Sequence, residues 1–274
     1  VTSEIQGLAT SDIKGLVPPA AVSSEKPIYR LGKVFFQIRN CKTEYEELLD
    51  RLLPRASASS LARDPNIQEI NTGCSFGVRE LINHVLHKHR KCIWADAACL
   101  VAPSGAKFLL TGRSSAGKST TTLAMALAHG WKTVAEDITL FDRSTGEILS
   151  FPTPFSLKAG TADLLEKTIG KRPSPIIDDE WVPMQSLSMD DNVKGPADFA
   201  IHLIREDAGP ITREEISPSD YLRYIMPNSN VLRMPDGIEQ FLSNVREGGC
   251  FVIRNGSLSE RMDALLQLAG MARQ

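Results

Sequence analysis

Apolar and polar positions change rhythm along the chain, and each change marks an element. Residues 28–40, IYRLGKVFFQIRN, alternate around a Gly32-Lys33 turn and predict a β-hairpin. TEYEELLDRLL, from Thr43, opens acidic and continues with helical spacing, and Val78, Leu81, Val85 and Leu86 fall on one stripe of a second helix. These elements predict a small α+β unit over residues 1–91, whose leading segment of about 27 residues is poor in large apolar groups and is expected to lie loosely on the surface.

Two apolar strands follow, CIWADAACLVA and KFLLTG, separated by the turn PSGA. The second runs into a glycine-rich segment and then a helix, Lys118–His129, that Gly130 should stop. WKTVAED reads as a core strand ending in acid, and TLFDRSTGEILSF as a hairpin around Ser-Thr-Gly. A short helix at TADLLEKTIG, a strand at DFAIHLIRE, helices near PSDYLRYIM and GIEQFLSNVRE, a strand GCFVIRN and a last helix SERMDALLQLAG complete an α/β core over residues 92–274. Within it, the Pro-rich acidic stretch 171–196 is too long for an ordinary connector, so a lid or disorder is expected there.

Composition narrows the partners. A chain of 274 residues, 42% hydrophobic, can bury a substantial core. Its 31 basic and 33 acidic side chains leave a formal charge of -2, which gives no footprint for nucleic acid or an anionic membrane, so neither is expected as a partner. Five scattered cysteines, Cys41, Cys74, Cys92, Cys99 and Cys250, form no CxxC pair and suit a reducing compartment. With no targeting segment read at the start and no apolar run long enough to span a bilayer, a cytoplasmic protein is expected.

The chemistry concentrates in GRSSAGKSTTT, where Gly112, Gly117, Lys118 and Ser119 satisfy G-x-x-x-x-G-K-[ST]. The glycines let the backbone bend until successive N–H groups converge on phosphate oxygens, and the helix beginning at Lys118 aims its positive end at the same anion. Lys118 adds a full charge for the outer phosphates, and the Ser119 hydroxyl can complete the shell of a bound Mg²⁺. The nucleotide-binding candidates are therefore Gly112, Arg113, Ser114, Ser115, Ala116, Gly117, Lys118, Ser119 and Thr120. A second cation ligand is needed from a neighbouring strand end, and VAED supplies Glu136 and Asp137 there. One acid suffices for the metal; the other can accept the proton of an incoming hydroxyl, which a simple binding protein would not need. No NKxD reads guanine and no LSGGQ-like segment suggests a transporter ATPase.

FLLTGRSSAGKSTTTLAMALAHGWKTVAED resembles the core of HPr kinase/phosphorylase and the wider group of HPr-kinase-like serine kinases, over residues 92–158, and FPTPFSLK resembles a P-x-P-x-x-L-K segment of the shorter relatives. The resemblance implies a phosphate-loop α/β core related to that of phosphoenolpyruvate carboxykinase, with a mixed, twisted sheet. It further implies ATP and Mg²⁺ as cofactors, with Ser119 and Asp137 holding the metal and Glu136 acting as base; Asp137 is the base if the register slips by one. Catalysis would then rest on Lys118, Glu136 and Asp137.

Several positions depart from that family. The pair is Glu-Asp rather than Asp-Asp, Ser115 replaces a loop glycine, Asp96 stands where a histidine is common, and no EIRGLG-like segment is found. These differences point away from HPr itself, while length and layout, with a small unit ahead of the core, resemble the shorter relatives, among them kinases of lasso-peptide precursors. A serine hydroxyl of a peptide or protein is the expected acceptor, with a free serine-like molecule, or a non-catalytic ATP-gated binding module, as alternatives. A homo-oligomer is compatible with the resemblance.

Other residues carry weaker signals. His84 and His87 share a helix face but, with His89, read as a polar flank; Asp178, Asp179 and Glu180 read as a solvated acidic loop. Lys158 either reaches a phosphate or stays in solvent, and Arg113 contacts nucleotide or solvent. Arg205, Arg213 and Arg223 are open candidates for a transition-state arginine.

Overall fold

The structure is a computed structural model that describes residues 26–57, 61, 66–71, 77–89, 91–190, 192–206, 209–246 and 248–271. Most of the leading segment, and Cys74, lie outside these residues. The predicted hairpin forms as β1 (Ile28–Leu31) and β2 (Val34–Arg39), antiparallel about the Gly32-Lys33 turn. Helix α1 (Thr43–Leu52) then lies between β2 and β3 (Ile67–Asn71), which pairs parallel to β2. Nothing in IQEIN announces a strand, because only Ile70 of its five residues is buried. Helix α2 (Val78–Leu86) buries all four stripe residues and Ile82 besides.

The run CIWADAACLVA, predicted as one strand, is two. It forms β4 (Cys92–Asp96) and β5 (Ala98–Val101), which belong to different sheets. Ala97 is fully buried at the step between them, and its amide donates to the Asp137 carbonyl at 3.1 Å. Most residues on either side are buried too, so the apolar run gives no sign of the break. The acidic strand end does the same: β7 (Lys132–Ala135) leaves its sheet, bends through Glu136 and Asp137, and re-enters the other sheet as β8 (Ile138–Asp142). Thr139 Oγ1 donates to the Ala97 carbonyl at 2.8 Å and ties the two steps together. Asp96, Glu136 and Asp137 therefore share one corner between sheets.

The central sheet has six strands. Its order is β14 (Thr212–Glu215), β15 (Cys250–Arg254), β13 (Phe199–Ile204), β6 (Lys107–Gly112), β5, β7; β13 runs parallel to both β6 and β15, and the remaining pairs are antiparallel. Edge strand β14 is exposed throughout and has no apolar pattern to announce it. The smaller sheet, all antiparallel, is β12 (Asn192–Val193), β9 (Ile148–Leu149), β8, β4.

The stretch 171–196 is neither a free lid nor disordered over the residues described. Its β11 (Trp181–Val182) pairs with β10 (Phe155–Ser156), its β12 pairs with β9, and Ile177, Val182, Met184 and Val193 are buried. Those four apolar residues are too widely scattered among prolines and acids to show a period.

Helices α3 (Lys118–His129), α4 (Thr161–Ile169) and α7 (Leu258–Met271) cover one face of the central sheet around Phe108, Leu110, Trp131 and Ile201. On the other face, α5 (Pro218–Ile225) and α6 (Gly237–Ser243) pack with the smaller sheet around Leu109, Phe141 and Ala200. A third cluster joins Leu31, Leu49 and Leu81 of the N-terminal elements to Leu140, Leu149 and Phe151. The fold is mixed α/β. Among the described residues no helix is long and apolar enough to cross a membrane.

Candidate functional site

The glycine loop joins β6 to α3, as its sequence requires. Gly112 has φ 150°, and a Cβ there would stand 2.6 Å from the Leu203 carbonyl oxygen of β13, so the close strand pairing admits only glycine. Gly117, at the N-cap of α3, has φ 100°. Ser115, at the place where the resemblance implies a glycine, holds φ 70°, a conformation glycine adopts more readily. Within the loop the Ala116 amide donates to the Arg113 carbonyl at 3.0 Å, and the Ala116 side chain enters the core. The amides of Ser114, Ser115, Gly117, Lys118 and Ser119 carry no hydrogen bond among the described residues. They form a row of donors at a helix N-terminus, an arrangement suited to an anion.

Arg261, which sequence reasoning missed, fastens this loop from α7. It is 5% exposed, donates from Nε to the Asn255 carbonyl at 2.8 Å and from Nη1 to the Ala116 carbonyl at 2.5 Å, and lies against Gly117. Burial, then the charge of Arg205, lowers its pKa. An arginine in the first turn of an amphipathic helix looks like a surface residue in sequence, so no local pattern could have found it.

Lys118 is 8% exposed, and its Nζ donates to the Gly112 carbonyl at 2.7 Å and pairs with Asp96 Oδ1 at 2.9 Å. Asp96 is thus the counter-ion of the loop lysine. Across the corner, the Ser119 hydroxyl donates to Glu136 Oε1 at 2.5 Å. The resemblance pairs Ser119 with Asp137; the structure puts Ser119 against Glu136 instead. Glu136 is buried, and burial followed by the charge of Asp137 pushes its pKa up, against the opposing pull of Ser119 and Lys118. Asp137 keeps solvent-accessible surface, yet the crowded corner still desolvates its carboxyl, and with the charge of Asp96 this raises its pKa; Lys118 and Arg79 act the other way.

Ser119 and Glu136 offer two hard oxygen donors beside the row of free amides, which fits magnesium. No group of three or more His, Cys, Asp or Glu side chains among the described residues forms a metal cage. Magnesium takes one or two carboxylates and completes its shell with phosphate and water, so the donor set suits it better than a self-sufficient protein cage would.

Other candidates divide. Lys158, in FPTPFSLK, arches over the loop, its Nζ 2.6 Å from Ser115 Oγ and 3.2 Å from Ser114 Oγ. Arg113 is exposed on the same loop, and Thr120 is half-buried one turn into the helix. Glu180 accepts from Ser156 Oγ at 3.0 Å and from Arg79 of α2 at 3.5 Å, so it is held rather than merely solvated. Arg205 is exposed, and Arg213 lies over Phe251 on the edge strand, 5.8 Å from the ring centroid. His84 is half-buried and His87 exposed on α2 and beside it, whereas His89 is a buried support and not a polar flank. Its Nδ1 donates to the Val85 carbonyl at 3.1 Å and its Nε2 accepts from the Lys33 amide at 3.2 Å.

No protein-family model matches the chain, and no curated protein matches it. Among solved structures it is similar to the Hpr(Ser) kinase/phosphatase from Coxiella burnetii, with a TM-score of 0.33 and 13% sequence identity, covering 66% of this chain and 95% of that one. A likeness of that extent leaves the activity to be argued from the site itself.

Proposed function

We propose that this protein is an ATP- and magnesium-dependent kinase that moves the terminal phosphoryl group of ATP to a serine hydroxyl of a peptide or protein. The observation that carries the reading is the Ser119–Glu136 hydrogen bond, which closes the strand-end acids onto a loop of unengaged amides. Phosphoryl transfer asks a protein mainly for positioning and charge stabilisation. The loop amides and Lys118 would hold the phosphates, and Lys158 is near enough to add a second cation. Ser119 and Glu136 would hold magnesium, which would supply charge neutralisation to the transferring phosphoryl group.

The same hydrogen bond supports giving the metal to Ser119 and Glu136, and the base role to Asp137. This reverses the assignment made by resemblance. Asp137 has surface open to an incoming hydroxyl, and its raised pKa makes it a better proton acceptor than an ordinary aspartate. The serine acceptor is supported by the FPTPFSLK resemblance, whose lysine reaches the loop.

Incubation with γ-labelled ATP and serine peptides, alongside calorimetry with MgATP, tests the reading. Label is expected on peptide with the native chain. Asp137→Asn should keep MgATP uptake and lose about a hundredfold or more in transfer, while Glu136→Gln should weaken uptake itself. If Glu136→Gln keeps its affinity and Asp137→Asn loses it, the two acids return to the roles implied by resemblance. Uptake of MgATP with label on no acceptor identifies a nucleotide-gated binding module.

A further inference from the structure

Beside Gly112, on the side of the loop that faces α5, lies a cavity of about 190 Å³ lined by Asp96, Arg113, His202, Arg223, Tyr224 and Asn228, among others. It is well under the roughly 300–1,000 Å³ of sites for drug-sized ligands, so it suits one small group. Its lining is rich in donors. Among the described residues Arg113 makes no ion pair and Arg223, exposed on α5, pairs only with Asp220 of its own helix, at 3.2 Å.

His202 is a fixed part of the wall. The buried Tyr221 hydroxyl has Thr111 Oγ1 in reach at 3.2 Å and no other partner among the described residues, so it donates there. Thr111 Oγ1 in turn donates to the Ile201 carbonyl at 3.3 Å and accepts from the His202 Nδ1–H at 2.9 Å. The proton of the neutral ring then sits on Nδ1, and Tyr224 stacks on the ring face with centroids 4.1 Å apart. Burial and the charges of Lys118, Arg254 and Arg113 keep the ring neutral, its pKa pulled down to about 4.

The cavity also adjoins the transfer site, because Asp96 on its wall is the ion-pair partner of Lys118. We infer that this cavity is an anion subsite for the phosphoryl acceptor, taking a carboxylate that stands close to the accepting hydroxyl and holding it with Arg113 and Arg223. The inference rests on the kinase reading and narrows its substrate. The carboxylate has two sources, an acidic residue flanking a peptide serine or the α-carboxylate of a free serine-like molecule.

The test uses serine peptides with Asp, Ala or Lys at each place near the serine, together with free serine and serine methyl ester, and γ-labelled ATP. Peptides with Asp at one fixed place are expected to take label about tenfold faster than their Lys counterparts, and Arg223→Glu to reverse that order. Label on free serine and not on its methyl ester would identify the small-molecule source. Labelling indifferent to the flanking charge and to the carboxylate of free serine overturns the subsite, as does a preference unmoved by Arg223→Glu. If nothing is labelled although MgATP binds, the transfer reading fails by itself. Calorimetric titration of the same Asp and Lys peptides and of free serine into ATP-loaded protein then decides the subsite alone: preference for the anionic ligands, lost in Arg223→Glu, upholds it, and its absence overturns it.

Discussion

Lys118 folds back onto its own loop, held by the Gly112 carbonyl and Asp96. Removing it should cost more than a lost surface charge, since Asp96 would keep its negative charge with no ion-pair partner among the described residues. Lys118→Ala is therefore expected to abolish MgATP uptake in calorimetry. Arg261 holds the loop through the Ala116 carbonyl and is itself held by the Asn255 carbonyl, and Arg261→Met should weaken MgATP binding by about tenfold while Arg261→Lys recovers part of it; equal affinities in all three proteins would remove Arg261 as a positioning residue. His202 gives a pH signature. Its pKa is about 4 in the folded chain against the ordinary 6.5, so between those values the unfolded chain binds a proton that the folded chain refuses. Stability should therefore fall as pH drops through that window, by up to about tenfold in the folding equilibrium per pH unit. Urea unfolding of His202→Gln should show a flatter profile over the same range.

The strand–loop–helix unit was legible because every part of it is local: the apolar FLL, the glycines, the lysine and the helix ended by Gly130 stand next to one another in the chain. Its support was legible only in part: Lys158, 43 residues away, could be read as open between phosphate and solvent, whereas Arg261, 145 residues away, gave no sign. The acids show the boundary between the two cases. Their presence at a strand end could be read from VAED, but which one faces Ser119 depends on the bend that carries the chain from β7 into β8, and two adjacent acids look alike in a pattern. The double step between sheets at Ala97 and at Glu136–Asp137 was hidden for a related reason, since residues buried on both sides read as one long strand. Strand β6 also depends on a contact that no pattern reveals, the approach of Gly112 to Leu203. Gly112→Ala should cost on the order of 2–3 kcal/mol, read as a lowered melting temperature, because a carbonyl oxygen and not a flexible side chain opposes the new methyl.

The N-terminal elements share a buried cluster with β8, β9 and Phe151, so melting is expected to be a single transition followed equally by near- and far-ultraviolet dichroism. Phe151→Ala should lower that transition as one, by about 3–5 kcal/mol, whereas two separated transitions would show that the N-terminal elements fold on their own. The proposed function joins these parts in one grip on a triphosphate, and isothermal titration of the intact chain with MgATP reads that grip directly. Saturable one-to-one uptake, abolished by Lys118→Ala and by chelating the magnesium, is the expected result. A native chain that takes up no MgATP, or a Lys118→Ala variant that binds it as well as the native chain does, would contradict it.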